Sequence, residues 1–179
     1  MSPTVRSERL VLRLPQIGDA PRMTQYLDNF AVAGNLARVP HPYRLTDAEN
    51  FISSRPQNPA HDDTSFVIDL PGEGLIGMVG FHHRADAAVI GYWLGEPYWN
   101  RGFMTEAART ALDWYFADPR PGRVISGVFH FNTASLAIQK KLGFRETGTS
   151  SLLCLARGVH VRHIDTELSR AVWAGKRAS

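Results

Sequence analysis

Residues 88 to 116 read Ala-Val-Ile-Gly-Tyr-Trp-Leu-Gly-Glu-Pro-Tyr-Trp-Asn-Arg-Gly-Phe-Met-Thr-Glu-Ala-Ala-Arg-Thr-Ala-Leu-Asp-Trp-Tyr-Phe. The apolar period changes within this stretch, and that change restricts the fold more than any other feature. Val89 to Leu94 is apolar and β-favouring, which predicts a strand. Gly95 to Met104, with Pro97, Asn100, Arg101 and Gly102, predicts a loop. From Thr105 onward Ala108, Ala111, Leu112 and Tyr115 fall at i, i+3, i+4 and i+7, one face of a helix. A strand that passes through a basic glycine loop into a helix suits an anion. The first N–H groups of the helix have no partner inside it, and the helix dipole places partial positive charge there. Gly102 admits close approach, and Arg101 adds a full charge. An ordinary β-to-α connection with a surface arginine is the plain alternative. G-x-x-x-x-G-K-[ST] and G-x-G-x-x-G are both absent, so this is neither a P-loop nor a dinucleotide fingerprint.

The rest of the chain supplies partners for this unit. Arg9 to Leu14 alternates, with Leu10, Leu12 and Leu14 on one face, and Pro15 ends that strand. Asp19 is placed to cap a helix from about Ala20 to Phe30, with Pro21 in its first turn. Ala31 to Tyr43 is irregular. Thr46-Asp47-Ala48-Glu49 has the pattern of a capping box and opens a helix to about Arg55. Thr64 to Leu70 and Leu75 to His82 flank the turn Pro71-Gly72-Glu73-Gly74 as a hairpin. A turn near Arg84-Ala85-Asp86 leads into Val89, so three antiparallel strands precede the anion loop. Val124 to Phe129 is a buried strand, and Asn132 begins a helix that Gly143 ends. Phe144 to Ser150 and Val161 to Leu168 form a last hairpin. Ala174 to Ser179 is expected to fray.

At 179 residues, one domain spanning 1–179 is expected, with its core at about 8–170. The net charge of +3 is mild and spread along the chain, which argues against a nucleic-acid partner. Cys154 is the only cysteine, so no internal disulfide can form and its thiol reads as a small buried hydrophobe. The first residues lack the apolar core of a signal peptide, and no long apolar run occurs, so a cytoplasmic enzyme without membrane contact is expected. No histidine spacing suits a metal.

Three motifs resemble one family. Ile90-Gly91-Tyr92-Trp93-Leu94 followed by Tyr98-Trp99-Asn100-Arg101-Gly102-Phe103-Met104-Thr105-Glu106-Ala107 is similar to the acetyl-CoA loop of GNAT acyltransferases. It most resembles the branch of ribosomal-protein N-terminal acetyltransferases. Asn132-Thr133-Ala134-Ser135 followed by Lys141-Leu142-Gly143-Phe144 resembles the family's second segment, and Glu8-Arg9-Leu10-Val11-Leu12-Arg13 resembles the branch's first strand. The resemblance implies a single-domain α/β fold, a mixed and mostly antiparallel sheet flanked by helices. It implies acetyl-CoA as cosubstrate and a primary amine, a protein N-terminus or a small molecule, as acceptor. A non-catalytic acyl-CoA-binding module of the same fold is the alternative, and a homodimer stays open.

On that reading the backbone of Asn100, Arg101, Gly102, Phe103, Met104 and Thr105 meets the pyrophosphate. The strand end Trp93-Leu94-Gly95 splays from its neighbour to pair with pantetheine, and an N–H near Leu94 meets the thioester oxygen. Asn132 and Ser135 bond the pantetheine arm, although simple N-capping also accounts for Asn132. The sequence departs from the family at Trp99, at Met104 and at Gln139, where many members carry the tyrosine that protonates the leaving thiolate. Ser135 or a water is left for that task. Glu96 is the candidate to bind the amine or carry its proton. His82 and His83 at a strand end are weaker candidates, with surface histidines as the plain reading, and Glu106 suits the helix dipole.

Overall fold

The computed structural model describes residues 3–85 and 87–178. Met1, Ser2, Asp86 and Ser179 lie outside the described residues, and with Asp86 goes part of the turn expected near Arg84-Ala85-Asp86. The elements run β1 (Val5–Arg6), β2 (Val11–Arg13), α1 (Ala20–Leu27), α2 (Phe30–Ala33), α3 (Leu45–Ser53), β3 (Ser65–Leu70), β4 (Gly74–His82) and β5 (Ala88–Leu94). They continue with α4 (Phe103–Ala117), β6 (Arg123–Phe129), α5 (Thr133–Leu142), β7 (Arg145–Cys154), β8 (Val159–Ser169) and α6 (Arg170–Ala178). Among the described residues the strands form one sheet in the order β1-β2-β3-β4-β5-β6-β8-β7. Every neighbouring pair is antiparallel except β5 and β6, which run parallel. The expected mixed, mostly antiparallel sheet with flanking helices is what forms.

β4 is buried on both faces. Phe81 on one face stacks on Tyr115 of α4, with ring centroids 4.3 Å apart, and Phe66 of β3 meets Trp114 edge-on at 5.0 Å. α1 packs on the other face, where Tyr26 lies under Gly95. By alternation, Ile90, Tyr92 and Leu94 share the Phe81 face, and Val89, Gly91 and Trp93 share the α1 face. Cys154 is buried as expected, at 0 % exposure.

Several boundaries depart from the sequence expectation. α1 stops at Leu27, because the Asn29 side chain accepts from Ala31 N and starts α2. The capping residues of α3 are Arg44 and Asp47 rather than Thr46 and Glu49; the Asp47 carboxylate takes the Arg44 N–H at 2.8 Å, which draws Leu45 into the first turn. α4 begins at Phe103, two residues early, because burying Phe103 and Met104 outweighs leaving them in a loop. As far as Ala178 the tail is helical rather than frayed. α6 runs to Ala178, anchored by buried Trp173 and by Arg170, whose guanidinium donates to the carbonyls of Phe116 and Pro121 at 2.6 and 2.9 Å.

Candidate active site: an anion loop and a split between two strands

The loop after β5 turns through two left-handed residues, Asn100 at φ 59° and Gly102 at φ 78°. The first helical hydrogen bond of α4 is Glu106 N to Gly102 O at 3.1 Å. The N–H groups of Phe103, Met104 and Thr105 therefore have no intrahelical acceptor and point out of the helix end. The Phe103 and Met104 side chains turn into the core, so Met104 does not crowd the loop. Two guanidiniums flank the Phe103 ring, Arg101 at 4.9 Å and Arg9 at 4.5 Å from its centroid. Arg9 also donates to Arg101 O at 3.1 Å. The cationic end thus carries a second arginine that local sequence does not reveal, since it arrives from a turn more than ninety positions away.

Glu106 fixes that arrangement. Its carboxylate accepts from Ser7 Oγ at 2.7 Å, Arg9 N at 2.8 Å and Arg9 Nε at 2.6 Å. Burial alone would raise its pKa, but these three donors outweigh burial and hold the carboxyl below the usual range. A lowered folded pKa means stability that is present above the unfolded value, about 4.3 for Glu, and lost as pH falls through the folded value. Glu106→Gln is therefore expected to cost about 2 kcal/mol at pH 7. Urea melts of both proteins should show the gap shrinking as pH drops below about 4.

The second feature is a split in the sheet. β5 and β6 pair only at Ala88↔Val124 and Val89↔Ile125. Gly95 N donates to Ile76 O at 2.8 Å, so odd-numbered β5 residues bond β4. The N–H groups of Tyr92 and Leu94 consequently face the split. The Ile90 carbonyl there accepts from Ser126 Oγ, and the Leu94 carbonyl from Trp99 Nε1, both at 2.8 Å. Tyr92 Oη lies 3.0 Å from Ser135 Oγ in the first turn of α5. Burial pushes the Tyr92 hydroxyl pKa up, so it stays protonated. Asn132 caps α5, its side-chain oxygen accepting from Ser135 N at 3.2 Å. Gln139, 1 % exposed, closes the base of the split: Nε2 donates to Ser126 Oγ at 3.0 Å and Gly127 O at 3.4 Å, and Oε1 accepts from Thr166 Oγ1 at 2.7 Å.

A cationic helix end beside an unpaired strand edge fits a long ligand with an anionic head and an amide-bearing arm. The acetyltransferase (GNAT) domain family model matches residues 9–145 of this chain. The chain belongs to the GNAT acetyltransferase family. As a GNAT acetyltransferase it is an enzyme and takes its acetyl group from acetyl-CoA. It is 28% identical over 162 residues to the protein named "Uncharacterized N-acetyltransferase p20" of Bacillus licheniformis, covering 81% of this chain and 84% of that one. Among solved structures, Mycobacterium smegmatis RimJ in complex with CoA-disulfide superposes with a TM-score of 0.80 at 24% identity, over 97% of this chain and 95% of that one. The ribosomal-protein-S5-alanine acetyltransferase from Vibrio fischeri gives 0.80 at 21% identity, over 96% and 98%. These neighbours share the fold.

The remaining candidates of this GNAT enzyme, and the aromatic residues near them, divide by position. Glu96 follows β5 directly, is exposed, and accepts from Asn29 Nδ2 at 2.5 Å. His82 and His83 face Asp63 and Asp62 at 3.7 and 2.5 Å, at the opposite end of β4 from Gly77, which pairs with Leu94. They stand apart from the Leu94 end of the split. Tyr43 is buried with its hydroxyl on Met23 Sδ, and burial raises its pKa to about 12. It belongs to the core. Trp93 is half-buried on the α1 face of β5, and Trp114, also half-buried, packs against the core. Among the described residues no cluster of His, Cys, Asp and Glu could hold a metal, and no helix is long and apolar enough to cross a membrane.

Proposed function

We propose that this acetyltransferase acetylates a primary amine, a protein N-terminus or a small-molecule amine, by direct attack within a ternary complex. The observation that carries the reading is the parting of β5 from β6 after Val89 and Ile125, between the amino ends of α4 and α5. The N–H groups of the Asn100 to Thr105 segment and the Arg101 charge bind the pyrophosphate. Tyr92 and Leu94 offer the pantetheine arm a free strand edge, and Asn132 and Ser135 line its other side. Leu94 N–H serves the developing oxyanion at the thioester. Ser135, hydrogen-bonded to Tyr92, supplies the proton or hydrogen bond that the leaving sulfur needs. A CoA thiol has the acidity of a cysteine, about 8.5, so a hydrogen-bond donor is sufficient help near neutral pH. Gln139 does not share this task, because both ends of its amide are engaged in the core. The whole chain, 1–179, acts as one catalytic domain in this reading.

Glu96 draws the cationic amine toward the split and binds it or relays its proton through water. Glu96→Gln is expected to lower kcat about tenfold or more with little change in acetyl-CoA affinity. Thiol release in the presence of candidate amines, with calorimetry for the cosubstrate, separates the two quantities. An unaltered kcat and amine KM would remove Glu96 from the mechanism.

A further inference from the structure

Three glycines lie in one row across the sheet face opposite α4 and α5. Gly127 on β6 and Gly148 on β7 both stand opposite Asp165 of β8. Gly91 extends the row on β5, two residues past Val89, where the parallel ladder ends. Open space stands over Gly91 and Gly148. Over Gly127 stands an imidazole: a Cβ there would lie 2.1 Å from His163 Cε1. The row crosses the split and is open at Gly91 and Gly148, with His163 and Asp165 standing in it between them.

These two side chains are bonded to each other. His163 Nδ1 lies 2.8 Å from Asp165 Oδ1, and Ser150 Oγ donates to the same oxygen at 2.8 Å. A carboxylate only accepts, so Nδ1 carries the hydrogen. In the neutral ring the Nε2 lone pair is then free, and Nε2 has no partner among the described residues. The ring is braced by the Phe129 edge, at 5.9 Å between centroids, and by bare Gly127. Side-chain exposures of 16% for His163 and 36% for Asp165 leave both within reach of a ligand. A carboxylate that fixes the tautomer of a histidine beside a cleft is the arrangement of a general base.

We infer that the open face at Gly91, beside His163, is the amine subsite and that His163 Nε2 takes the proton of the incoming amine, with Asp165 as its positioning residue. The inference rests on the acetyl-transfer reading above and assigns the proton to His163, leaving Glu96 to attract the amine. The ammonium gives one proton to Nε2, which passes it to water. The freed nitrogen pair attacks the thioester carbon, a C–N bond forms, and the C–S bond breaks with its electron pair leaving on sulfur. The second proton lost by nitrogen balances the thiolate as thiol. No oxidant or metal is required.

The test uses the full chain with acetyl-CoA and a panel of amines: short peptides with free Ala or Ser amino ends, and polyamines. CoA thiol release gives turnover, and calorimetry gives acetyl-CoA affinity. His163→Gln should keep wild-type acetyl-CoA affinity and lose about 100-fold or more in kcat. His163→Gly, which opens a ring-sized space over Gly127, should regain turnover when imidazole is added. Asp165→Asn should lower kcat with amine KM little changed, and it carries the test if the His163 variants fold poorly. His163→Gln turnover within about twofold of wild type overturns the inference while leaving acetyl transfer standing. So does a folded His163→Gly enzyme that imidazole cannot restore. A wild type that binds acetyl-CoA yet releases no thiol with any amine overturns the acetyl-transfer reading, and this inference with it.

Discussion

Gly102→Val is expected to weaken acetyl-CoA binding about 100-fold and to cost the fold about 1–2 kcal/mol. Gly102 holds φ 78° immediately before α4. An L-residue in that region places Cβ against its own carbonyl, and a β-branched side chain fits it least. The strain can be relieved only by turning the backbone that aims the first N–H groups of α4. Hydrogen bonds from such groups to a charged phosphate are worth about 1.5–3 kcal/mol each, so losing the aim of one or two accounts for the predicted factor. Space is not the obstacle, since a Cβ on Gly102 would meet only Arg9 Nη2, at 3.4 Å. The effect should therefore appear in affinity more than in stability. Titration and a urea melt of the same sample measure both, and wild-type affinity in the variant would place the phosphates elsewhere.

Gln139→Leu is expected to lower stability by about 3 kcal/mol, or Tm by about 10 °C for a chain of this size. The substitution keeps volume but removes an acceptor from Thr166 Oγ1 and donors from Ser126 Oγ and Gly127 O, in a place almost without water. An orphaned buried donor costs about 1–3 kcal/mol, whereas removing both partners of a pair is nearly neutral. Gln139→Leu with Thr166→Val should accordingly be less destabilised than the sum of the single changes. Thermal melts of the four proteins check the cycle. Strict additivity would show that the Gln139–Thr166 bond contributes nothing, and the amide would need another reason for lying beneath the split.

The unit from β5 through the loop into α4 was readable because a period change, a glycine and an arginine are local signals. Asn132 and Gly143 bounded α5 for the same reason: a cap depends on a few consecutive residues. Elements that depend on distant partners were not readable. The α6 helix is held by Arg170 reaching carbonyls at the end of α4 and in the α4–β6 connection, partners that its own sequence does not show. β7 is longer than expected because it is an edge strand exposed along nearly its whole length, where no alternation of burial marks its end. Arg9 joins the anion loop through Glu106, a pairing set by tertiary structure alone. His163, Asp165 and Ser150 meet through the register of β7 on β8, and the Tyr92 hydroxyl reaches Ser135 across the split. His163 and Asp165 at i and i+2 on one strand were the available signal, since such residues share a face. Without the register, nothing marked that face as the one crossing the cleft.

The most direct test of the account is calorimetric titration of the full chain with acetyl-CoA, with NAD and ATP as controls. Selective, saturable binding of one acetyl-CoA per chain, lost in Gly102→Val, is predicted. Failure to bind acetyl-CoA, or binding of all three ligands alike, would contradict the assignment of the α4 end and the β5–β6 split as the cosubstrate site.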